Sequence, residues 1–194
     1  MPRLKAAQRK DQLISVATRV FARLGYDAAT THEIAEAAGI TEPILYRHFK
    51  SKQDMFVAIV RKMSQVKLAR WNDLIADIDD PIQQIRLIAK EYPKHIHSLS
   101  DAYRVINGAL ACSRDRRVIS VLKEHYKEVE SFFAQIIRRG QKARVFRTDL
   151  DLDAPTWQII HLGIGYSLIS LNLSGVNQFP LGDAIEFVLT GIRK

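Results

Sequence analysis

Cysteine is almost missing from this chain: Cys112 stands alone among 194 residues. A single thiol excludes an intramolecular disulfide and a multi-thiolate metal site. Glycine (9) and proline (6) are scarce, which excludes collagen-like and low-complexity architectures. The opening stretch MPRLKAAQRKDQ has no apolar core, so no secretory signal is expected and a reduced, cytoplasmic protein is the expectation. Nor is there a convincing pair of alternating strands or a strand–helix alternation. What remains is 47% apolar and 26% charged residues, an ordinary globular composition. A chain of this length allows one large domain or two small ones and buries about 70% of its unfolded surface.

Positive charge is in excess, and unevenly so. Residues 1–70 carry 13 Lys and Arg against 6 Asp and Glu, whereas residues 71–194 carry 16 against 15. Nearly all of the net +8 therefore belongs to the first third. A basic head on a neutral body suits a polyanion, nucleic acid ahead of membrane, although a merely solvated basic surface would give the same count. Arg3, Lys5, Arg9 and Lys10 could form a basic arm following a DNA backbone or minor groove, or an incidentally charged terminus.

Apolar residues at 13, 14, 16, 17, 20, 21 and 24 have helical spacing, and Gly25 follows as a stop. Thr30-x-x-Glu33 reads as a capping box for a short helix through Ala38, ended by Gly39. Thr41 is placed to cap a third helix with Pro43 in its first turn, and Ser51-x-x-Asp54 to open a longer one towards Ile75. Asp79-Asp80-Pro81 starts a helix that Pro93 is expected to kink or end. Further helices are expected over Ala102–Cys112, Val118–Arg139 (stopped by Gly140), Asp153 to about Leu173, and Asp183–Thr190. The chain reads as all-α.

Residues 30–52, TTHEIAEAAGITEPILYRHFKSK, are the informative stretch. Two short helices are separated only by Gly39-Ile40-Thr41. Ile34, Ala35, Ala38, Ile40, Leu45 and Phe49 can converge on Ala17, Val20, Phe21 and Leu24. That is a helix-turn-helix, whose second helix enters the major groove by its N-terminal residues. Facing outward would be Thr31, His32, Glu42, Pro43, Ile44, Tyr46, Arg47, His48, Lys50 and Lys52, with Thr41 at the helix start. Tyr46 as a packing residue and His48 as a structural hydrogen-bonder are the plainer alternatives.

Thr31-x-x-Ile-Ala-x-x-Ala-Gly-Ile-Thr41 followed by Leu45-Tyr-x-His-Phe-x-Ser-Lys52 resembles the TetR family of bacterial helix-turn-helix transcriptional regulators, over roughly residues 9–57. The segment Phe146-Arg147-x-Asp149-Leu150-Asp151 is a weaker likeness. The resemblance implies a three-helix DNA-binding domain (1–52) joined to a larger helical effector-binding and dimerisation domain (53–194). By matched position, Thr31, Tyr46, His48 and Lys52 would touch phosphates, and His32, Glu42, Pro43 and Ile44 would face base edges. Pro43 and Ile44 suit thymine methyls, and Glu42 a cytosine amino group.

Ala154–Gly182 contains no Asp, Glu, Lys or Arg. Interrupted by Gln158, His161, Asn172 and glycines, it reads as a helix buried on most sides rather than a membrane span. With the Val118–Arg139 helix it would form the four-helix seam of a two-fold dimer, as the resemblance implies. The interface residues would be Val129, Phe132, Phe133, Ile136, Ile160, Gly163, Ile164 and Leu168. Trp71, Tyr92, Tyr103, Asn107, Cys112, Trp157, His161 and Tyr166 are candidates for lining an effector cavity, although such residues in a helical domain also serve simply as core. His95-x-His97, with His125 or His161, lies on diverging helix faces and predicts no metal site; no cofactor is expected either. The expected function is a ligand-responsive repressor that binds a palindromic operator on double-stranded DNA as a homodimer. The alternatives are a constitutive architectural DNA binder and, lacking any nucleophile–base pair, a helical enzyme.

Overall fold

The computed structural model describes residues 6–173, 176 and 180–194. Its helices are α1 (Ala6–Leu24), α2 (Thr31–Ala37), α3 (Glu42–Tyr46), α4 (Lys52–Ile75), α5 (Pro81–Ser98), α6 (Ser100–Cys112), α7 (Arg116–Lys142), α8 (Asp153–Asn172) and α9 (Leu181–Ile192). Among the described residues there is no strand, only an isolated bridge between Phe146 and Arg193. The all-α expectation holds. Arg3, Lys5 and part of the stretch between the helices expected to about Leu173 and from Asp183 lie outside the described residues.

The helix signals act largely as their chemistry requires. Thr30 and Glu33 form a reciprocal capping box, Thr30 Oγ1 accepting from the Glu33 N–H and Glu33 accepting from the Thr30 N–H. Gly25 (φ 81°) and Gly39 (φ 64°) take left-handed turns that a side chain would resist. Ser51 Oγ accepts from the Asp54 N–H at 3.1 Å, while the Asp54 carboxylate accepts from the Lys50 N–H at 3.1 Å, so the reciprocal bond closes one residue upstream of the cap. Asp80 caps α5 with Pro81 in the first turn. Thr41 occupies its N-cap position, but its side chain makes no capping bond.

Two helix ends depart from expectation. Helix α5 passes through Pro93 and continues to Ser98; Tyr92, His95 and Ile96 are buried on either side of it, and that packing outweighs the missing N–H. Helix α7 likewise runs past Gly140 to Lys142 and ends before Arg144, whose φ is 59°. Gly140 serves a different purpose: a Cβ there would lie 2.1 Å from the Phe146 ring, and the Val145 and Phe146 N–H groups both donate to the Gly140 carbonyl. Glycine is what lets Phe146 fold back onto the helix.

The chain forms two compact units, one comprising the stretch up to Ser64 with Asp101–His125, the other Gln65–Ser100 with Tyr126–Lys194. The expected division after residue 52 cuts through the first of these. Met55, Phe56, Ile59 and Val60 of α4 belong to the same buried core as Leu13, Ala17, Val20 and Phe21 of α1, Ile34 and Ala35 of α2, and Leu45. Phe21, Tyr26 and Phe56 pack ring on ring at its centre, with centroids 5.1–6.4 Å apart. The second unit buries Ile85, Ile88 and Ile96 of α5 with Phe133, Ile136 and Ile137 of α7, and Ile185 and Leu189 of α9. There Arg86 forks onto Glu186 (Nη2–Oε2 2.8 Å) and Arg139 donates to Gln84 at 2.7 Å. Among the described residues no helix is long and apolar enough to cross a membrane.

Candidate nucleic-acid interface

Leu45 is fully buried and Phe49 nearly so, and together they pin α3 against the head. With those two turned inward, His32, Thr41, Pro43, Arg47 and Lys50 are exposed, as are Ile44 (37%) and Tyr46 (48%). Thr31, Glu42, His48 and Lys52 are half-buried. Of the expected outward set, Thr31 and His32 lie on α2 and Glu42, Pro43, Ile44 and Tyr46 on α3, whereas Thr41 precedes α3, Arg47, His48 and Lys50 follow it, and Lys52 opens α4.

Three of these side chains are linked to one another. The Thr31 hydroxyl donates to Glu42 Oε1 and lies 3.2 Å from Tyr46 Oη. The link ties the start of α2 to both ends of α3, fixing rotamers that would otherwise be lost only on binding. It also partly satisfies the Glu42 carboxylate, so a cytosine amino group would have to share or displace the Thr31 donor.

Lys52 departs from its expected role. Its Nζ donates to the carbonyls of Tyr26 (2.8 Å), Asp27 (3.1 Å) and Ala29 (2.9 Å), and lies 4.7 Å from the Tyr26 ring centroid. An ammonium has three protons, and all three are taken. Lys52 holds the α1–α2 loop to the start of α4 and leaves no donor for a phosphate. The exposed cations available on this face are Arg47 and Lys50.

The loop that Lys52 closes is tied elsewhere too. Tyr26 Oη donates to Asp115 Oδ2 at 3.2 Å, and burial, then Asp115 itself, raise the Tyr26 phenol well above its usual range. Burial alone would raise the Asp115 carboxyl, but donors from the Arg117 and Val118 N–H groups, Gln53 and Tyr26 bring it below the ordinary carboxylate range. Asp115 and its neighbours were not singled out in the sequence. Three arginines around one Asp directly before an apolar stripe was the available signal.

The effector-cavity candidates fall in both units. Trp71 and Tyr92 meet in the second unit, ring centroids 6.2 Å apart, and Trp71 also packs on Phe132 and Phe133 at 5.3 Å. Tyr103 and Asn107 are buried in the first unit, where Cys112 is exposed. Trp157 donates to Glu130 and stacks on His161, which is exposed, while Tyr166 is half-buried. Trp71, Tyr92, Trp157, His161 and Tyr166 thus belong to the second unit, and Tyr103, Asn107 and Cys112 to the first. An open groove of about 580 Å³ lies between α8 and α9, bordered by Gln158, Leu162, Asp183, Phe187, Val188 and Thr190, and none of the eight borders it. His95 is buried and His97 exposed, and no metal-holding cluster occurs among the described residues.

The expected dimer residues differ in how far their own chain covers them. Val129, Phe133, Ile136 and Ile160 are buried within their own chain, and Phe132 stacks on Trp71. Gly163 accepts a hydrogen bond from Tyr92 Oη at 3.3 Å, and Ile164 is half-buried. Packing inside the unit takes up the α7 stripe. Of the eight, Leu168 alone is exposed (48%); Ile169, Leu173, Val176 and the 85%-exposed Phe187 are further uncovered apolar residues of the α8–α9 region.

Lys67 went unnoticed in the sequence. It is 4% exposed, 5.2 Å over the Trp71 ring, and burial lowers its pKa to about 7 against the pull of Glu128. Its signal was position: Lys67 falls on the α4 stripe of Ile59, Val60, Met63 and Trp71.

Residues 13–59 match the model of bacterial regulatory proteins of the tetR family. The chain is 28% identical over 148 residues to the HTH-type transcriptional repressor KstR2 of Mycobacterium tuberculosis, covering 75% of this chain and 72% of that protein. It is 32% identical over 104 residues to the HTH-type transcriptional activator FasR of Mycolicibacterium smegmatis, covering 54% and 48%. Its fold matches the transcriptional regulator FadR from Bacillus subtilis, solved with stearoyl-CoA, at a TM-score of 0.81 and 19% identity, covering 94% and 99% of the two chains.

Proposed function

Since the chain belongs to the TetR family of bacterial regulatory proteins and is a DNA-binding transcriptional regulator, we propose that it is a homodimeric repressor of a palindromic operator, released by a small-molecule effector. The observation that carries this reading is the outward face of α2 and α3. Arg47 and Lys50 offer charge to phosphates, the linked Thr31 and Tyr46 hydroxyls offer fixed hydrogen-bonding groups, and Pro43 and Ile44 offer apolar contact to base edges. Its five-residue α3 reads few base pairs alone, so specificity calls for two heads on successive major grooves.

The second copy would dock on the α8–α9 surface, where Leu168, Ile169 and Phe187 remain uncovered. The effector reading is supported by the stearoyl-CoA bound in the B. subtilis FadR structure of similar fold and by the Trp71–Tyr92–Phe132 aromatic cluster beside Lys67. An effector acts by binding more tightly to the conformer whose heads are mis-spaced for DNA.

The test is selection of binding sites from random duplexes, followed by sedimentation of the free protein and the complex. The expected result is a palindrome occupied by two protomers, with Phe187→Asp lowering both self-association and operator affinity. A monomer that binds a non-repeating site with full affinity would refute the dimer. A screen in which ligands raise the melting temperature yet leave operator affinity unchanged would refute release by effector and favour a constitutive DNA binder.

A further inference from the structure

The α6–α7 turn with the start of α7, Ser113-Arg114-Asp115-Arg116-Arg117, is bonded to both ends of the helix-turn-helix segment. On the upstream side Asp115 Oδ2 accepts from Tyr26 Oη at 3.2 Å, four residues before the Thr30 cap of α2. On the downstream side the Arg117 guanidinium pairs with Asp54 Oδ1 at the start of α4, while the other oxygen of Asp54 holds the Lys50 N–H at 3.1 Å. Within the turn, Asp115 also caps α7, accepting from the Arg117 N–H at 2.8 Å and the Val118 N–H at 3.3 Å. All of these residues belong to one compact unit.

These bonds sort the charges of the turn. Arg117 and Asp54 neutralise each other, and the Asp115 carboxylate is half-buried and directed onto the α7 backbone and Tyr26. Arg114 and Arg116, on either side of Asp115, are exposed and enter no ion pair among the described residues. Two unengaged guanidiniums are thus held beside the elements that carry the α2–α3 face. Arginine is suited to phosphate by its fixed fork of donors.

We infer that the α6–α7 turn is a second DNA-contacting element, in which Arg114 and Arg116 grip backbone phosphates flanking each half-site. The inference rests on the reading of α2–α3 as the operator-binding face. The contact is independent of base sequence, adding affinity and salt dependence without changing which bases are read. Because Tyr26–Asp115 and Arg117–Asp54 fix the turn to the head, it reaches the flanks whenever α3 is seated in the groove.

The experiment is a salt titration of the full chain, wild type and Arg114→Gln/Arg116→Gln, by fluorescence anisotropy. One duplex is the selected operator trimmed to its two half-sites; the other carries about ten further base pairs of arbitrary sequence on each side. The expected result is a steeper dependence of log K on log salt for wild type on the long duplex. The double variant should lose that excess, about one unit of slope per lost phosphate contact, and match wild type on the trimmed duplex. Arg114→Lys/Arg116→Lys should recover most of the slope, since charge is what it reports. A double variant indistinguishable from wild type on both duplexes overturns the inference. A wild type that selects no sequence at all overturns the operator reading beneath it instead.

Discussion

Replacing Lys52 by methionine separates a structural lysine from a DNA-contacting one. Methionine keeps the length of the apolar stem while deleting the ammonium. Three hydrogen bonds, at 2.8, 2.9 and 3.1 Å to the carbonyls of Tyr26, Ala29 and Asp27, disappear together with the 4.7 Å contact to the Tyr26 ring. A hydrogen bond from a charged donor contributes about 1.5–3 kcal/mol when shielded, and an exposed cation–π contact about 0.5–1 kcal/mol. Lys52 is only half-buried, so water replaces part of each, and the three bonds share one side chain. A net loss of about 2–4 kcal/mol from the stability of the first unit follows.

The loss should be local at first. Hydrogen exchange of the Ala29 amide, which donates to the Gly25 carbonyl at 3.2 Å, should speed up before the amides in the middle of α1 do. Lys52→Arg should recover little, because a planar guanidinium cannot direct three protons at three converging carbonyls. In DNA titrations the salt slope of Lys52→Met should equal that of wild type at temperatures where both are folded. Lys50→Gln, at an exposed position on the same face, should instead lower it by about one unit per half-site. A Lys52→Met protein as stable as wild type, with a shallower salt slope, would show that the ammonium serves phosphate and refute the reasoning.

Four other outcomes are expected. Gly140→Ala should cost about 1–3 kcal/mol in chemical denaturation, since its Cβ would lie 2.1 Å from the Phe146 ring, and pairing it with Phe146→Leu should recover part of that. Lys67→Met should stabilise the protein at pH 7 by on the order of 1–4 kcal/mol, the exposed Glu128 losing little. Because the Lys67 pKa falls to about 7 from an ordinary 10.5, the unfolded chain holds the extra proton between those values; wild-type stability rises with pH across that window, and Lys67→Met should flatten the rise. His95 runs the same way at acid pH: burial, then Arg70 and Lys67, lower its pKa to about 4 from 6.5, so stability should fall as pH drops from 6.5 towards 4, by roughly 3 kcal/mol for the site, and less in His95→Gln. Thr31→Val should weaken operator binding in mobility-shift titration while leaving the melting temperature within about 2 °C of wild type, since the hydroxyl links Glu42 to Tyr46 on the half-buried edge of the head.

How far the sequence could be read depended on whether the partner of each residue was close by in the chain. The Thr30–Glu33 box, the Gly25 and Gly39 turns and the Asp80-Pro81 start all involve partners within four residues, and all were legible. So was the inward pair of Leu45, on a five-residue helix with few ways to face, and Phe49, four residues further along the same turn direction. Gly140 misled for the opposite reason: its reason for being glycine is Phe146, which reaches it only once the chain has turned back. Val129, Phe133 and Ile136, expected at the seam with a partner copy, are already covered by their own chain, since an apolar stripe records burial without recording by what. Lys52 shows the deeper limit. A lysine at the start of a helix beside a DNA-facing pair has the right charge and place for a phosphate, and its type and spacing are the same whether its protons go outward or back to residues 26–29. Three carbonyls 23 to 26 residues upstream in sequence decide the matter, and only the folded α1–α2 loop brings them together. Asp115 is the converse case, a surface-looking carboxylate whose importance comes from Tyr26, 89 residues away. Polar side chains that bridge distant segments are therefore where a sequence reading of this head loses its grip, and they are also the contacts by which α6 and α7 are fastened to it.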